Sequence, residues 1–587
     1  MTYPPLTLGL DPFSDRFTVH AKFAHKDDMA TIPGATFKGN GQDFWTMPRR
    51  WLQVTLLDNI FGDAVEWTPE AAKWAHDEFG GSVGPAMELR HDHVDPEVMA
   101  LMKGLSCPER PLFDYQVTGA LFLATARRAH LFDEMGTGKM IQGAFALSVY
   151  PETLPALIVC PNSVLFTWQA ELRLFGIESV VIPGTDAAVK RRAAITNFDP
   201  ELTPVMIVGY STLSKHTRVA GYGTIKLSDE DKRSKELNAI PWSCVIADEV
   251  HRVKDPRSLQ TRALWAVSAS ATFRWGLTGT PIEADFMDTW SLMHFVDPEE
   301  WPSVVRARDR WAQQHLNFFG GLEILGLRPD TEAEYHDVLD WHWRRQLMDR
   351  ANLPPQLPTE FRYCQLSGSQ AKAYRDMSAQ LMAVIGDDDA VLFAENHMVK
   401  AGRLLQMASS TIEFAEGTED VVAVEPSAKL DLMMETLADC PQPCILWFKH
   451  RKLLHLAEAR LLKAGIGHVV IHGGVSPQDR HNNVAAFQAG DVDRILIVMA
   501  AGSEGVTLTR APLAIYVERD WSFIKNTQAT GRNFRIGSEI HDEIRTINLV
   551  TMDTIEQALY EVLDTKAETA ELLLRDQRKL FTAAMRA

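Results

Sequence analysis

Short apolar runs that alternate with longer stretches of helical pattern constrain this chain more than any other feature. From about residue 112, HLFDEMG, ALIVCPN, PVMIVGY, SCVIADE and RWGLTGT each end in a polar or glycine-bearing turn, with helical segments between them. The rhythm returns between 443 and 550 with PCILWFKH, HVVIHGG, RILIVMA, LAIYVER and IRTINLV, separated by amphipathic segments such as RKLLHLAEARLLKAG. Such β–α alternation predicts parallel strands covered by helices. The expected fold class is α/β, with two parallel sheets of a nucleotide-fold type. A chain of 587 residues has room for roughly three or four domains.

What flanks these halves reads differently. RFTVHAKF alternates Phe17, Val19, Ala21 and Phe23 on one face, the period of a half-buried strand; IPGATF and DFWTMP predict further short strands, and MPRRWLQVTLLDNI a helix. A small α+β module is expected there. Residues from about 298 to 365 break the rhythm with many Trp, His and Arg residues and the proline-rich NLPPQLPTE, as an insertion and connector would. The predicted boundaries are 1–104, 105–298, 299–365, 366–564 and a closing helix at 565–587. No solenoid-length repeat or low-complexity tract is visible.

A net charge of −18 means that any polyanionic partner must be held by a local basic groove against an unfavourable overall field. The six cysteines are scattered in mostly apolar surroundings and are expected to be reduced; Cys440 and Cys444 lack the second ligand pair that a metal site needs. The N-terminus has no charged and apolar leader and no apolar run approaches ~18 residues, so no membrane association is expected.

Within this frame, LFDEMGTGKMIQ (131–142) follows a strand and opens a helix. Gly136, Thr137, Gly138 and Lys139 fit the end of a phosphate-cradling loop, where glycines let backbone N–H groups face phosphate and the lysine adds a point charge. Met140 stands where that loop calls for Ser or Thr, removing an oxygen that a hard cation prefers. In CVIADEVHRV the acids Asp248 and Glu249 end a later strand, which places them in the crevice beside the loop. Asp248 is suited to hold magnesium through water and Glu249 to orient or deprotonate the attacking water. TGTP (278–281) follows another apolar strand as a polar turn able to transmit nucleotide state. Gln528, Arg532 and Arg535 have spacings that put all three on one face of a predicted helix, an arginine-finger arrangement. Singly, each is an ordinary turn or solvated charge; their order along the chain argues otherwise.

Taken together, the motifs resemble those of superfamily 2 helicases of the Swi/Snf-like translocase family. RPLFDYQVTGALFL, with Gln116, is similar to its adenine-reading segment and LFDEMGTGK to its first motif; IVCPNSVLFTWQAEL, VGYSTL, DEVH, LTGTP, HWRRQLMDRANLPPQLPTE, VVIHGGVSPQDR, GSEGVTLTRA and QATGRNFRIG follow in order. The resemblance runs from about 110 to 565. It implies two RecA-like lobes with helical insertions that clamp ATP and Mg2+ and move along duplex DNA. By position, Gln116, Met135, Gly136, Thr137, Gly138, Lys139, Met140 and Gly505 line the nucleotide. Lys139, Asp248, Glu249, Gln528, Arg532 and Arg535 are the catalytic set, with Asp248 serving magnesium. Asn162, Ser163, Tyr210, Ser211, Lys449, His450, Arg451 and Thr507 follow strand ends and are expected to meet DNA, mainly at phosphates. The N-terminal IPGATF and FWTMP are similar to the module of HepA-related annealing helicases, which implies recognition of branched DNA through Lys38, Trp45, Arg49, Arg50 and Trp51; a packed core for the tryptophans is the equal alternative. A compact motor of this kind is expected in the cytoplasm of a bacterium or a virus-infected cell.

Three readings of function follow: a DNA-stimulated ATPase that translocates on duplex or branched DNA and remodels or reanneals it, a nucleotide-gated DNA-binding protein slowed by Met140, and an RNA helicase. Besides Met140, the chain departs from the family pattern in Val250 of DEVH and in Gly531.

Overall fold

The computed structural model describes residues 4–563 apart from 40–43, 109, 220–234, 283–285, 317–321, 348–352, 367, 386–393, 415–420, 503–505, 536, 558, 561 and 562. The chain forms two compact units, Met1–Met348 and Asp349–Ala587. The expected closing helix at 565–587 lies outside the described residues.

The first unit begins with a five-stranded sheet of order β3-β4-β2-β1-β5: β1 (Leu6–Leu10), β2 (Arg16–His20), β3 (Thr36–Lys38), β4 (Phe44–Pro48) and β5 (Val65–Trp67). Phe17 and Val19 are buried on one face, as their alternation requires. The strand stops at His20, however, and Phe23 belongs to a 3-10 turn, so the predicted run is three residues too long. The helix Trp51–Phe61 turns Leu52, Leu56 and Leu57 into the interior.

This module is tied to the sheet domain that follows. Arg50 donates through Nε to Asp297 Oδ2 at 3.2 Å, the same carboxylate oxygen that Arg128 reaches at 2.7 Å, and Leu52 N donates to Glu300 Oε1 at 2.6 Å. Burial alone would raise the Asp297 carboxyl; Arg128 and Arg50 hold it below its ordinary value. Glu300 thus caps the first turn of a helix whose Leu52 lies 248 residues earlier in the chain.

The large sheet of the first unit has the order β14-β6-β11-β10-β7-β9-β8, parallel throughout. Its strands are β6 (Arg128–Leu131), β7 (Ala156–Cys160), β8 (Ser179–Ile182), β9 (Val205–Gly209), β10 (Cys244–Asp248), β11 (Phe273–Leu277) and β14 (Trp343–Arg344). Every residue of β7, β9, β10 and β11 is buried, which is why these strands read as apolar runs, interrupted only by the buried Arg274 in β11 and closed by Asp248 in β10. The insertion adds the helix Val304–Trp311, a hairpin of β12 (Ala312–Leu316) and β13 (Leu322–Leu327), and the helix Glu332–Leu339. It then returns to the sheet, where β14 pairs with β6 in the register Trp343–His130 and Arg344–Leu131.

In the second unit the sheet order is β15-β22-β21-β18-β20-β19, again parallel: β15 (Glu360–Cys364), β18 (Cys444–Phe448), β19 (His468–Ile471), β20 (Arg494–Val498), β21 (Leu513–Tyr516) and β22 (Arg545–Thr551). A separate hairpin joins β16 (Thr411–Phe414) to β17 (Val421–Val424). Both sheets thus have the RecA-like form, and each buries its own core. None of the six cysteines is disulfide-bonded. Among the described residues, no helix is long and apolar enough to cross a membrane.

Candidate nucleotide site and strand-end loops

The loop between β6 and the helix Lys139–Val149 is built around two glycines that no other residue replaces cheaply. Gly136 and Gly138 have φ of 89° and 80°, and a Cβ on Gly138 would lie 2.6 Å from Gln116 Nε2. Gln116, buried on the helix Asp114–Ala126, accepts from Phe113 N at 3.1 Å and donates to the Thr137 carbonyl at 2.9 Å. It therefore braces the loop from inside while capping its own helix. Thr137 Oγ1 donates to the Glu134 carbonyl at 2.8 Å, and Met135 lies against Gly279, whose added Cβ would come within 2.7 Å of Met135 Cγ.

Lys139 folds back on this loop, donating to the carbonyls of Asp133 at 2.7 Å and Glu134 at 3.2 Å. Burial pulls its ammonium below the ordinary value, against the opposing charges of Glu249, Asp133 and Asp248. One residue on, Met140 packs its side chain against the apolar core of the unit. Position 140 therefore supplies no side-chain oxygen.

The structure adds a partner set that the sequence reading missed. Asp133 is fully buried and accepts from Gln142 Nε2 at 2.9 Å and from Gln346 N at 2.8 Å, with Arg344 at 3.5 Å. Phe132 N and Glu134 N donate to the carbonyls of Arg344 and Gln346, each at 2.8 Å. The segment returning from the insertion is thus zipped along the phosphate loop. In the sequence this segment shows only as the polar RRQ (344–346) after Trp341, His342 and Trp343.

Asp248 ends β10 with its carboxylate held by two donors, Trp168 Nε1 to Oδ2 at 2.8 Å and Glu249 N to Oδ1 at 3.0 Å. Burial and the Glu249 charge push its carboxyl up to about 7. Glu249 stands at φ 52°, ψ 50°, a left-handed conformation that costs a non-glycine residue on the order of 1 kcal/mol or more. Its side chain approaches His251 Nδ1 at 3.3 Å and Thr278 Oγ1 at 3.5 Å, and His251 Nδ1 meets Thr278 Oγ1 at 2.9 Å. The acidic strand end and the TGTP turn are one hydrogen-bonded cluster.

The other candidates in this unit gather at the carboxyl ends of β7 and β9. Asn162 lies against Gly209, where a Cβ would meet Asn162 Oδ1 at 2.0 Å, and Ser163 shares its short turn. Ser211 Oγ would be 3.7 Å from a Cβ on Gly184. Tyr210 is buried and its hydroxyl donates to the Asp248 carbonyl at 2.7 Å, so it holds the acidic strand end and leaves Ser211 as the accessible hydroxyl of the pair. In the N-terminal module Trp45 is buried and Arg49 and Arg50 both pair with Asp15; Trp51 is half-buried and Lys38 exposed.

In the second unit Lys449 and His450 follow β18. Their backbone N–H groups donate to Glu518 Oε2 at 3.0 and 2.9 Å, and His450 Nδ1 meets Glu518 Oε1 at 2.8 Å. Burial would raise Glu518; the facing His450 and these donors hold it down at about 2. The Lys449 ammonium lies 5.7 Å from the centre of the Trp521 ring, and Arg451 donates to His455 at 3.0 Å. Thr507 Oγ1 accepts from Arg535 at 3.1 Å, and Arg532 donates to the Val506 carbonyl at 3.3 Å. The helical-face argument for these arginines fails. The helix Phe523–Thr530 ends at Gly531, so only Gln528 is helical and both arginines lie in the turn beyond. Gln528 is buried, and its Nε2 has no hydrogen-bond partner among the described residues. Gly505 lies outside the described residues.

Two parallel helix-flanked sheets, the first carrying a glycine loop, its lysine and an acidic pair at a neighbouring strand end, define the class of two-lobed RecA-like helicase-type proteins. Comparison with known proteins gives the family: residues 115–417 match the SNF2-related domain and residues 428–537 the helicase conserved C-terminal domain. The chain belongs to the SNF2-related family. It is 25% identical over 493 residues to the putative ATP-dependent helicase/translocase YwqA of Bacillus subtilis, covering 80% of this chain and 49% of that protein. With the chromodomain-helicase-DNA-binding protein 1-like of Danio rerio it shares 25% identity over 487 residues, 79% of this chain and 44% of that one. It spans less than half the length of each of these two relatives. Among solved structures it is similar to the Sulfolobus solfataricus SWI2/SNF2 ATPase core in complex with dsDNA, with 20% identity, 81% of this chain and 97% of that chain covered, and a TM-score of 0.37.

Proposed function

We propose that this chain is an ATP-dependent DNA translocase that hydrolyses ATP and acts on duplex or branched DNA. The observation that carries the reading is the convergence, within the first unit, of a positive-φ glycine loop, Lys139 and the Asp248–Glu249 strand end, close enough for the acids to counter part of the desolvation of the lysine. Phosphate oxygens are natural replacements for the two carbonyls that Lys139 now grips. The oxygen donors of Asp248 fit a hard cation, and a bound magnesium ion would neutralise charge on the β- and γ-phosphate oxygens. Glu249, held by Thr278 and His251, orients or deprotonates the attacking water. Gln528, Arg532 and Arg535 are proposed as the second unit's share of the chemistry. Asn162, Ser163, Ser211, Lys449, His450, Arg451 and Thr507 contact DNA phosphates in this reading. The match to the SNF2-related domain supports DNA as the partner. Comparing ATPase stimulation by duplex DNA, forks, single strands and RNA tests it; stimulation by RNA alone overturns it.

One observation favours a second reading, a nucleotide-gated DNA-binding protein with slow turnover. Because Met140 is turned to the core, no side-chain hydroxyl replaces the missing magnesium ligand there. That reading predicts tight ATP-dependent DNA binding with negligible hydrolysis.

A further inference from the structure

Trp168 belongs to none of the groups assigned above, yet it touches both halves of the nucleotide site. It sits on the helix Leu165–Leu174 with no exposed surface, and its indole N–H donates to Asp248 Oδ2 at 2.8 Å. Its far ring edge meets the helix that carries Lys139: a Cβ on Gly143 would lie 3.2 Å from Trp168 Cη2. Gly143 is four residues after Lys139 and so on the same helix face, one turn below it. The indole is therefore wedged between the helix of the phosphate loop and the acidic strand end, with its one polar atom on the acid.

We propose that Trp168 is a positioning residue for magnesium, fixing the orientation in which the Asp248 carboxylate offers its oxygens. An indole has a single donor and no acceptor, so the contact can serve only an ionised or accepting oxygen. Each carboxylate oxygen has two lone pairs; with Oδ2 bonded to Trp168 and Oδ1 to Glu249 N, the plane of the group is set while a lone pair on each oxygen is left. Such supporting donors decide how well a ligand meets its ion, and their loss typically weakens metal binding about 10- to 100-fold. Here the dependence is sharpened by Met140, because a site without the hydroxyl relies more on its acid. The inference rests on Asp248 being the magnesium-serving residue.

The test is equilibrium binding of a fluorescent, non-hydrolysable ATP analogue to the full chain across a magnesium titration. Trp168→Phe keeps the ring in the core and removes only the donor. Its magnesium-free affinity should stay within about twofold of the parent, while the magnesium concentration for half-maximal enhancement rises about tenfold. Asp248→Asn should raise that concentration at least as much, and adding Trp168→Phe to it should change nothing further. An unchanged magnesium requirement in Trp168→Phe, or full additivity with Asp248→Asn, overturns the inference. If Asp248→Asn itself has the parent's magnesium dependence, the reading of Asp248 fails and the inference goes with it. Should Trp168→Phe not unfold cooperatively, Gly143→Ala, which presses on the indole without removing it, carries the same expectation of a raised magnesium requirement. An unaltered requirement there counts against it.

Discussion

Gln116 donates to the carbonyl of Thr137 at 2.9 Å, so the residue expected to read adenine is also the inner brace of the phosphate loop. Removing a buried partner of this kind costs about 1–3 kcal/mol. Gln116→Ala should therefore weaken nucleotide binding roughly tenfold and lower the melting temperature as well. Isothermal titration alongside a thermal melt separates the two effects: a residue that only read adenine would leave the apo melt unchanged.

Gly279→Ala tests the approach of the TGTP turn to the loop. The new methyl would lie 2.7 Å from Met135 Cγ and 3.2 Å from Met135 N, distances that require the loop to shift. We expect the KM for ATP to rise roughly tenfold, with DNA affinity in the absence of nucleotide unchanged. Steady-state kinetics and a DNA-binding isotherm check this.

Glu518 supplies a pH signature. Its carboxyl falls from an ordinary 4.5 to about 2 in the folded chain, worth about 3 kcal/mol to the ionised form. A depressed carboxyl binds fewer protons folded than unfolded, so its contribution is complete above pH 4.5 and fades as pH falls toward 2. Glu518→Gln should be less stable by about 2–3 kcal/mol at pH 7, and the gap from the parent should close through that acid window. Denaturation curves at several pH values read this directly. A gap that does not depend on pH would point to lost packing instead.

Met140→Thr places a hydroxyl at the start of the helix and removes a thioether that packs on the core. Stability should fall by about 1–2 kcal/mol. The magnesium concentration for half-maximal ATPase activity should fall with it, because an oxygen ligand is gained. Turnover rising more than about tenfold would favour the slow, nucleotide-gated reading.

Much of this architecture is written in local pattern. The strands β6, β7, β9, β10 and β11 and the strands β18–β22 all fall on predicted apolar runs; in all but the half-buried β19 most residues are buried, which favours apolar side chains on both faces. Strand β15 was missed because Glu360 to Cys364 alternates half-buried and exposed residues at a sheet edge. Strand β14 is two residues long, too short for any periodicity. In the site, the glycine loop, Lys139 and the acids were legible from spacing. Trp168, Asp133 and Gln142 were not, because their roles depend on partners from nine to 213 residues away that no local pattern encodes. The arginine turn was misread as helix because the four-residue and three-residue spacings survive in it, while Gly531 ends the helix one residue before Arg532.

In the proposed function, this chain turns over ATP at the Lys139–Asp248–Glu249 site in response to DNA. The most direct measurement is the steady-state ATPase rate of parent and Glu249→Gln with and without duplex DNA, with nucleotide binding followed in parallel. The parent should show DNA-stimulated hydrolysis, and the variant should still bind ATP but hydrolyse it at least about 100-fold more slowly. A Glu249→Gln rate equal to that of the parent would contradict it.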